Sequence, residues 1–110
     1  MKHSRNLFLV PDPLPAEELF ETLVPDGSVR IERIMSFGHT TPAGSWLEQD
    51  DDEWVVLLQG RSVIEYPKNI KVDLEQGDWI LIPAHTKHRV AFTSFDPPCI
   101  WLAVHGRLRK

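Results

Sequence analysis

Apolar residues recur with two different periods along this chain. Residues 15–23 show the spacing of an amphipathic helix: Pro15 stands at the start, acidic residues follow, and Leu19, Phe20 and Leu23 form an apolar stripe. Beyond this segment, apolar and polar residues alternate in short runs, as in β-strands with one buried face. The alternation predicts strands at residues 29–35, 54–58, 61–66, 70–74, 79–82, 88–93 and 100–104, and an extended segment at 45–49.

Turn-forming residues separate these segments. The first turn is predicted at Pro25, Asp26 and Gly27, and an acidic turn is predicted at residues 50–52. A hairpin is predicted at Gly60, where it would pair residues 54–58 with residues 61–66. Many short strands at this spacing are typical of an all-β sandwich or barrel. We therefore expect one domain over residues 1–110, with an N-terminal arm and helix at 1–27 and a barrel at 28–105.

The N-terminal arm contains a short apolar run, residues 7–10, that three prolines close. A run of this length is typical either of an edge strand or of an ordered arm that docks on a second subunit. An all-β domain with such an arm also favours pairing through exposed strand edges. We expect a homodimer.

Composition narrows the function classes. The 110 residues carry a net charge of −4, which disfavours a nucleic-acid-binding surface, and the basic end formed by Arg107, Arg109 and Lys110 is interpreted as a solvated tail. Cys99 is the only cysteine, so an intrachain disulfide and a thiolate metal cluster are excluded; we expect it in the core. Apolar runs are too short to predict a membrane span or a signal peptide. We expect a cytoplasmic protein without a nucleic-acid or membrane partner.

Two motifs flank the central predicted strands. Six residues separate Glu53 from Gly60, and later Gly77, Pro83 and His88 follow with five and four residues between them. This spacing resembles the cupin superfamily, whose first motif ends in E-x6-G and whose second runs G-x5-P-x-G-x2-H-x3-N. The resemblance covers roughly residues 29–104 and is closest to small single-domain cupins of unassigned function. It implies a cupin-type jelly-roll barrel, a double-stranded β-helix, with an internal pocket.

The chain departs from the motifs at positions that matter for metal binding. In metal-binding cupins the ligands are two histidines and the glutamate of the first motif, with the histidine of the second. The first-motif histidines are replaced by Trp46 and Glu48 if four residues precede the glutamate, or by Leu47 and Gln49 if three do. In the second motif His85 replaces the glycine and Phe92 the asparagine.

Alternation indicates which side chains face the pocket. One predicted face contains Glu53, Val55 and Leu57, and another contains His88, Val90 and Phe92. A buried carboxylate needs a cation or hydrogen-bond donors, so Glu53 is expected to meet either a metal ion or the ring of His88 as imidazolium. The alternative interpretation of both residues is a structural ion pair or a surface position.

The resemblance implies a metal centre formed by Gln49, Glu53, His85 and His88, with Glu48 as an alternative to His85. Imidazole and carboxylate ligands suit a divalent ion such as Fe, Mn, Ni or Zn. The metal-free alternative uses Glu53 as a base and His88 as an acid.

Other polar and aromatic residues give weaker signals. His39 lies in a loop that can fold over the pocket mouth, and His105 is interpreted as an ordinary surface or capped histidine. The tryptophans are expected in the core or an interface, with Trp46 as a candidate site residue because of its motif position.

Three hypotheses follow. The first is a small-molecule cupin, enzymatic if a metal is present. The second is a non-catalytic sensing or binding module that holds an organic ligand without metal. The third is a purely structural dimerisation unit.

Overall fold

The protein is an all-β fold built from two antiparallel sheets. The computed structural model describes residues 4–25 and 27–110; residues 1–3, where the predicted arm starts, and Asp26, the middle of the first predicted turn, lie outside them. The strands are β1 (Leu19–Val24), β2 (Val29–Ser36), β3 (Asp52–Gln59), β4 (Ser62–Tyr66), β5 (Ile70–Leu74), β6 (Trp79–Ile82), β7 (Arg89–Thr93) and β8 (Cys99–Gly106).

The strands form a larger and a smaller sheet. The five-stranded sheet has the order β1-β2-β8-β3-β6, and the three-stranded sheet has the order β5-β4-β7. All strand pairs are antiparallel. The main core cluster joins the inward side chains of both sheets: Val55, Leu57, Ile64, Leu74, Ile82, Cys99, Trp101 and Ala103. This packing confirms the all-β prediction and places the interior between the sheets.

The helix predicted for residues 15–23 is wrong. Residues 19–24 form β1, which pairs with β2 through partners such as Leu19 with Met35 and Phe20 with Ile34. Leu19 packs on the cluster of Met35, Phe37 and Ile100, whereas Phe20 lines the interior cavity, so the two neighbours serve opposite faces as in a strand. The pairing with β2 therefore overrides a local pattern that favours a helix.

The predicted hairpin across Gly60 is also wrong. β3 pairs with β6 and β8, while β4 pairs with β5 and β7, so the chain changes sheets at Gly60. Gly60 has φ of +94°, and a Cβ there would lie 2.8 Å from Ser94 Oγ and 3.0 Å from Cys99 Cα. This close backbone approach explains why the crossing between sheets takes a glycine.

The segment at residues 7–10 is an ordered arm, not an edge strand. Arg33 donates from Nη1 to the carbonyl oxygens of Leu7 at 3.0 Å and Leu9 at 2.9 Å. Val10 packs against the cluster on the outer face of the larger sheet. The arm therefore covers one end of that face.

The basic C-terminus, interpreted from the sequence as a solvated tail, is bound to Asp52 of the acidic turn. Asp52 is buried, at 5% exposed, and accepts hydrogen bonds from the backbone N–H of Ala84 and Leu108 and from Arg109. These bonds hold the pKa of Asp52 at about 2, with the Ala84 amide as the largest cause and the Arg109 side chain next. Asp52 thus connects three distant segments.

Among the described residues no helix is long and apolar enough to cross a membrane.

Candidate functional site

A cavity of about 540 Å³ opens between the two sheets. Its floor is apolar and takes residues from both sheets: Val55, Ile64, Ile82, Val90 and Trp101. Polar side chains lie above this floor, among them Glu53 and His88. Pockets that bind small molecules have similar volumes, with an apolar lining and a few polar groups that fix the ligand.

Strand register places Glu53 on the inner face of the larger sheet. Glu53 of β3 lies opposite Ile82 of β6 and His105 of β8, and His105 lies opposite Arg30 of β2. Side chains of directly opposed residues share one face of an antiparallel sheet. The row Arg30, His105, Glu53 and Ile82 therefore faces the cavity, and all four residues line it.

Gln49 supports Glu53 directly. Its side-chain amide nitrogen donates to Glu53 Oε1 at 2.7 Å, and its backbone carbonyl oxygen accepts from the backbone N–H of His85 at 2.8 Å. If three residues precede the motif glutamate, the two replaced histidines are Leu47 and Gln49, and both of these line the cavity. If four residues precede it, the positions are Trp46 and Glu48, of which only Glu48 lines the cavity. The amide of Gln49 therefore occupies one carboxylate oxygen and leaves Oε2 for a ligand.

His88 enters the cavity from the other side and is 4% exposed. Reciprocal backbone hydrogen bonds with Leu47, at 2.7 and 3.0 Å, fix its main chain. His88 Nδ1 donates to the carbonyl oxygen of Thr86 at 2.9 Å, so Nδ1 carries a proton. Nε2 has no hydrogen-bond partner among residues 4–25 and 27–110, which leaves it available to a ligand in the cavity.

The predicted alternation of inward and outward side chains fails at Phe92, in strand β7. A register shift between Val63 and Ile64 in the pairing of β4 with β7 marks a bulge. Beyond it Phe92 is exposed, while Val90 before it lines the cavity. The bulge moves Phe92 off the face that His88 and Val90 share, which sequence alternation cannot reveal.

A second acid–imidazole pair lies in the cavity and was missed by the sequence interpretation. His105, interpreted from the sequence as a surface or capped histidine, is 6% exposed, and its Nε2 donates to Glu32 Oε1 at 3.3 Å. Both residues line the cavity. Their contact depends on the pairing of β2 with β8 across about seventy residues of sequence, and no local spacing signals it. An alternating strand that ends in histidine was the one available hint.

His39 lines the mouth but has a structural role. Its Nδ1 accepts from the backbone N–H of Phe37 at 2.9 Å, and its Nε2 donates to the carbonyl of Ala16 at 2.9 Å. Both ring nitrogens are therefore engaged, and the ring is the neutral Nε2–H tautomer. The ring holds the loop at the mouth and has no nitrogen left for a ligand.

The mouth loop, residues 37–42, is tied to β7 by backbone and side-chain bonds. Thr41 N–H donates to the Val90 carbonyl at 2.9 Å, and Val90 N–H donates to Thr41 Oγ1 at 2.9 Å. Thr93 Oγ1 donates to the His39 carbonyl and Arg89 Nη2 to the Thr41 carbonyl. The loop is thus a fixed part of the cavity wall.

The pKa of the Tyr66 phenol is raised, and there are two causes. Burial is the larger cause that raises the pKa of the Tyr66 phenol, and the negative charge of Glu53 adds to it. Tyr66 packs against the main core cluster from β4. The carboxylate of Glu53 therefore acts electrostatically on the opposite sheet.

His85 lies apart from the other predicted ligands. Its side chain is 66% exposed, 3.7 Å from Asp50, and it does not line the cavity. Its φ of +63° is in the left-handed region, which explains why the cupin motif has glycine at this position.

A bound divalent metal needs several ligand atoms that converge on one point. Glu53 and His88 face the cavity, Gln49 presents its amide nitrogen to Glu53, and His85 is outside. Within the described part of the chain, no group of three or more His, Cys, Asp or Glu side chains is arranged to hold a metal ion. The residues present therefore do not fit the complete ligand set of a metal-binding cupin.

Comparisons with known proteins agree with this architecture. The model of the Cupin domain matches residues 34–105. A Ralstonia eutropha JMP134 protein, provisionally named mannose-6-phosphate isomerase, is 39% identical; the alignment covers 97% of this chain and 99% of that one, with a TM-score of 0.87.

More distant structures share the fold. A Desulfitobacterium hafniense DCB-2 cupin superfamily protein is 22% identical, with coverage of 94% and 99% and a TM-score of 0.70. A conserved Streptococcus pyogenes protein of unknown function is 17% identical, with coverage of 100% and 93% and a TM-score of 0.71. No curated protein sequence matches the chain. With two facing antiparallel sheets, an internal cavity and a Cupin domain match over most of its length, the chain belongs to the cupin family.

Proposed function

We propose that this cupin binds a small organic molecule in the cavity between its sheets, with Glu53 and His88 as the principal polar contacts. The observation that carries the proposal is that both residues line one cavity, where His88 Nε2 has no hydrogen-bond partner among the residues that the structure describes. The apolar floor supplies most of the contact area, and the two polar groups orient the ligand.

Ligand-induced stabilisation tests this proposal. A thermal-shift screen of small metabolites should identify compounds that raise the Tm of the wild type and raise it less in Glu53→Gln and His88→Gln. Glu75→Gln is the matched control, because Glu75 is exposed and does not line the cavity. Equal stabilisation of all four proteins by every hit would contradict binding at this site.

Proton transfer is a second candidate function. A carboxylate and an imidazole that share a cavity can act as general base and general acid. The name of the Ralstonia eutropha relative, an isomerase, supports this chemistry, because moving a hydrogen between neighbouring carbons of a sugar calls for both groups. Incorporation of deuterium from heavy water into a bound ligand would test it. Exchange that persists in Glu53→Gln would exclude Glu53 as the base.

Metal binding is supported by cupin family membership but not by the donor arrangement described above. We propose that ligand binding does not require a metal and that divalent ions bind weakly. Elemental analysis of protein purified without a histidine tag should find less than one metal ion per chain. Stoichiometric metal that is lost in both Glu53→Ala and His88→Ala would contradict this and restore the predicted metal centre.

We further propose a cytoplasmic homodimer. Trp79, on the edge strand β6, is 59% exposed and packs against Trp54 with tilted rings whose centroids are 5.8 Å apart. Apolar groups on a sheet edge favour association with a second copy. Light scattering coupled to gel filtration should give twice the monomer mass for the wild type and the monomer mass for Trp79→Glu. A wild-type monomer would contradict the proposal.

A further inference from the structure

The cavity is markedly acidic. Four glutamates line it, Glu18, Glu32, Glu48 and Glu53, against one arginine, Arg30. Glu48 and Arg30 are both exposed, so among the described residues the half-buried part of the lining contains three glutamates and no arginine or lysine. The nearby Arg89 does not offset this charge, because its guanidinium donates to Glu65 and to the Thr41 carbonyl. An anionic ligand would meet an unfavourable potential here, whereas a cation would be attracted.

The central carboxylates flank an imidazole. His105 donates to Glu32 at 3.3 Å, and Glu53 lies directly opposite His105 on the neighbouring strand. The neutral amide of Gln49 is the hydrogen-bond donor to Glu53. Two carboxylates thus stand on either side of His105, and no arginine or lysine of the described ranges is bound to either of them.

The opposite wall also presents an acceptor. Because Nδ1 of His88 donates to the Thr86 carbonyl, Nε2 of the neutral ring carries a lone pair. This side chain is nearly fully buried and lines the cavity, and Nε2 has no partner in the described parts of the chain. Carboxylate oxygens and this nitrogen together call for a ligand rich in hydrogen-bond donors.

The charge of the cavity and the arrangement of its ligand atoms determine which kind of cation fits. A divalent metal needs several donors within about 2.0–2.2 Å, and no described group of three acidic, histidine or cysteine side chains meets that need. An ammonium group hydrogen-bonds at about 2.7–2.9 Å and tolerates a more open arrangement. An apolar floor suits the carbon body that carries such a group.

We propose that the cavity selects a small organic cation, an ammonium-bearing molecule whose charged group lies between Glu32, Glu53 and His88. This inference rests on the proposed function, because it names the ligand class for the same cavity. A phosphorylated sugar, the compound in the name of the Ralstonia eutropha relative, would be disfavoured.

Three probes with the same cyclohexyl ring and different charge test the inference: cyclohexylammonium, cyclohexanol and cyclohexanecarboxylate. Binding is followed in amine-free buffer by the ring-proton NMR shifts of His88 and His105, assigned with His88→Gln and His105→Gln. The ammonium should bind about tenfold or more tightly than the alcohol, with the carboxylate weakest, since charge-assisted hydrogen bonds are the stronger ones. Glu32→Gln and Glu53→Gln should each reduce this preference, and Glu75→Gln should not.

The outcomes separate the two proposals. If the alcohol or the carboxylate binds as tightly as the ammonium in the wild type, the inference is overturned while cavity binding stands. If none of the three probes shifts either histidine at the solubility limit, binding in this cavity is overturned as well. Should a Gln variant fail to fold, the order of the three probes on the wild type still decides.

Discussion

At the scale of single residues, Gly60 shows why the first cupin motif ends in glycine. Its φ of +94° already disfavours a side chain, and a Cβ would meet Cys99 and Ser94 at 3.0 Å or less. Gly44 has a similar φ of +84°, but a Cβ there would contact nothing within 4 Å. A comparison of Gly44 with Gly60 therefore separates the effect of backbone conformation from the effect of close packing.

Alanine substitution should separate the two effects in stability. Gly44→Ala should cost about 1–2 kcal/mol of unfolding free energy, the strain of a left-handed non-glycine residue. Gly60→Ala adds overpacking, for a total of about 2–5 kcal/mol. Urea denaturation of both variants checks this. Equal losses would show that contact with Cys99 and Ser94 is not what requires glycine.

Tyr66 reports whether the Glu53 carboxylate acts inside the fold. It is the only tyrosine, so an alkaline absorbance titration follows this phenol alone. Its pKa should lie above the ordinary value of 10.0 and should fall in Glu53→Gln, while the part caused by burial remains. Glu75→Gln should leave it unchanged. A Tyr66 pKa that is the same in wild type and Glu53→Gln would place the carboxylate away from the interior.

Sequence spacing was informative at the motif positions. Glu53 and His88 follow the cupin motifs, Gln49 stands where a motif histidine is replaced, and all three line the cavity. The Glu32–His105 pair depends on strand register over a long separation, and the exposure of His85 depends on a left-handed turn. Neither leaves a local signal in the sequence.

At the scale of elements, the mouth loop and β7 form one unit. Thr41 connects them twice, since its N–H donates to Val90 and its Oγ1 accepts from Val90. The loop could be predicted to reach the mouth, but its attachment to β7 could not. The same limit applies to β1, where partnership with β2 decided between helix and strand.

Removing the Thr41 hydroxyl should loosen the cavity wall. Thr41→Val keeps the shape but leaves the Val90 N–H without its acceptor, which should cost about 1–3 kcal/mol. Ligand affinity should fall as well, because Thr41 lines the cavity. Thr22→Val is the control, since Thr22 is exposed and does not line the cavity. Denaturant midpoints and ligand titrations measure both effects; identical behaviour of the two variants would mean that this bond does not hold the loop.

At the scale of the whole molecule, Asp52 connects the start of β3 to the turn after β6 and to the C-terminus. The ordinary pKa of 3.8 is lowered to about 2, so the ionised form is the one that the fold stabilises. This stabilisation is fully present above pH 4 and is lost as the pH falls through 2.

Stability should therefore decline in acid partly because Asp52 becomes protonated. Asp52→Asn should unfold at a lower temperature than the wild type at pH 7, and the difference should shrink as the pH approaches 2. Asp50→Asn serves as the control, because the Asp50 side chain is 99% exposed. Melting curves across this range check the prediction. A constant difference between wild type and Asp52→Asn at every pH would contradict it.

The central claim is that Glu53 and His88, which are far apart in sequence, hold one small molecule between the two sheets. A crystal structure with a compound from the thermal-shift screen tests this most directly. We predict that the ligand lies within about 3.2 Å of both the Glu53 carboxylate and His88 Nε2, over the apolar floor. A ligand bound elsewhere, or a Glu53 carboxylate that faces bulk water, would contradict the account.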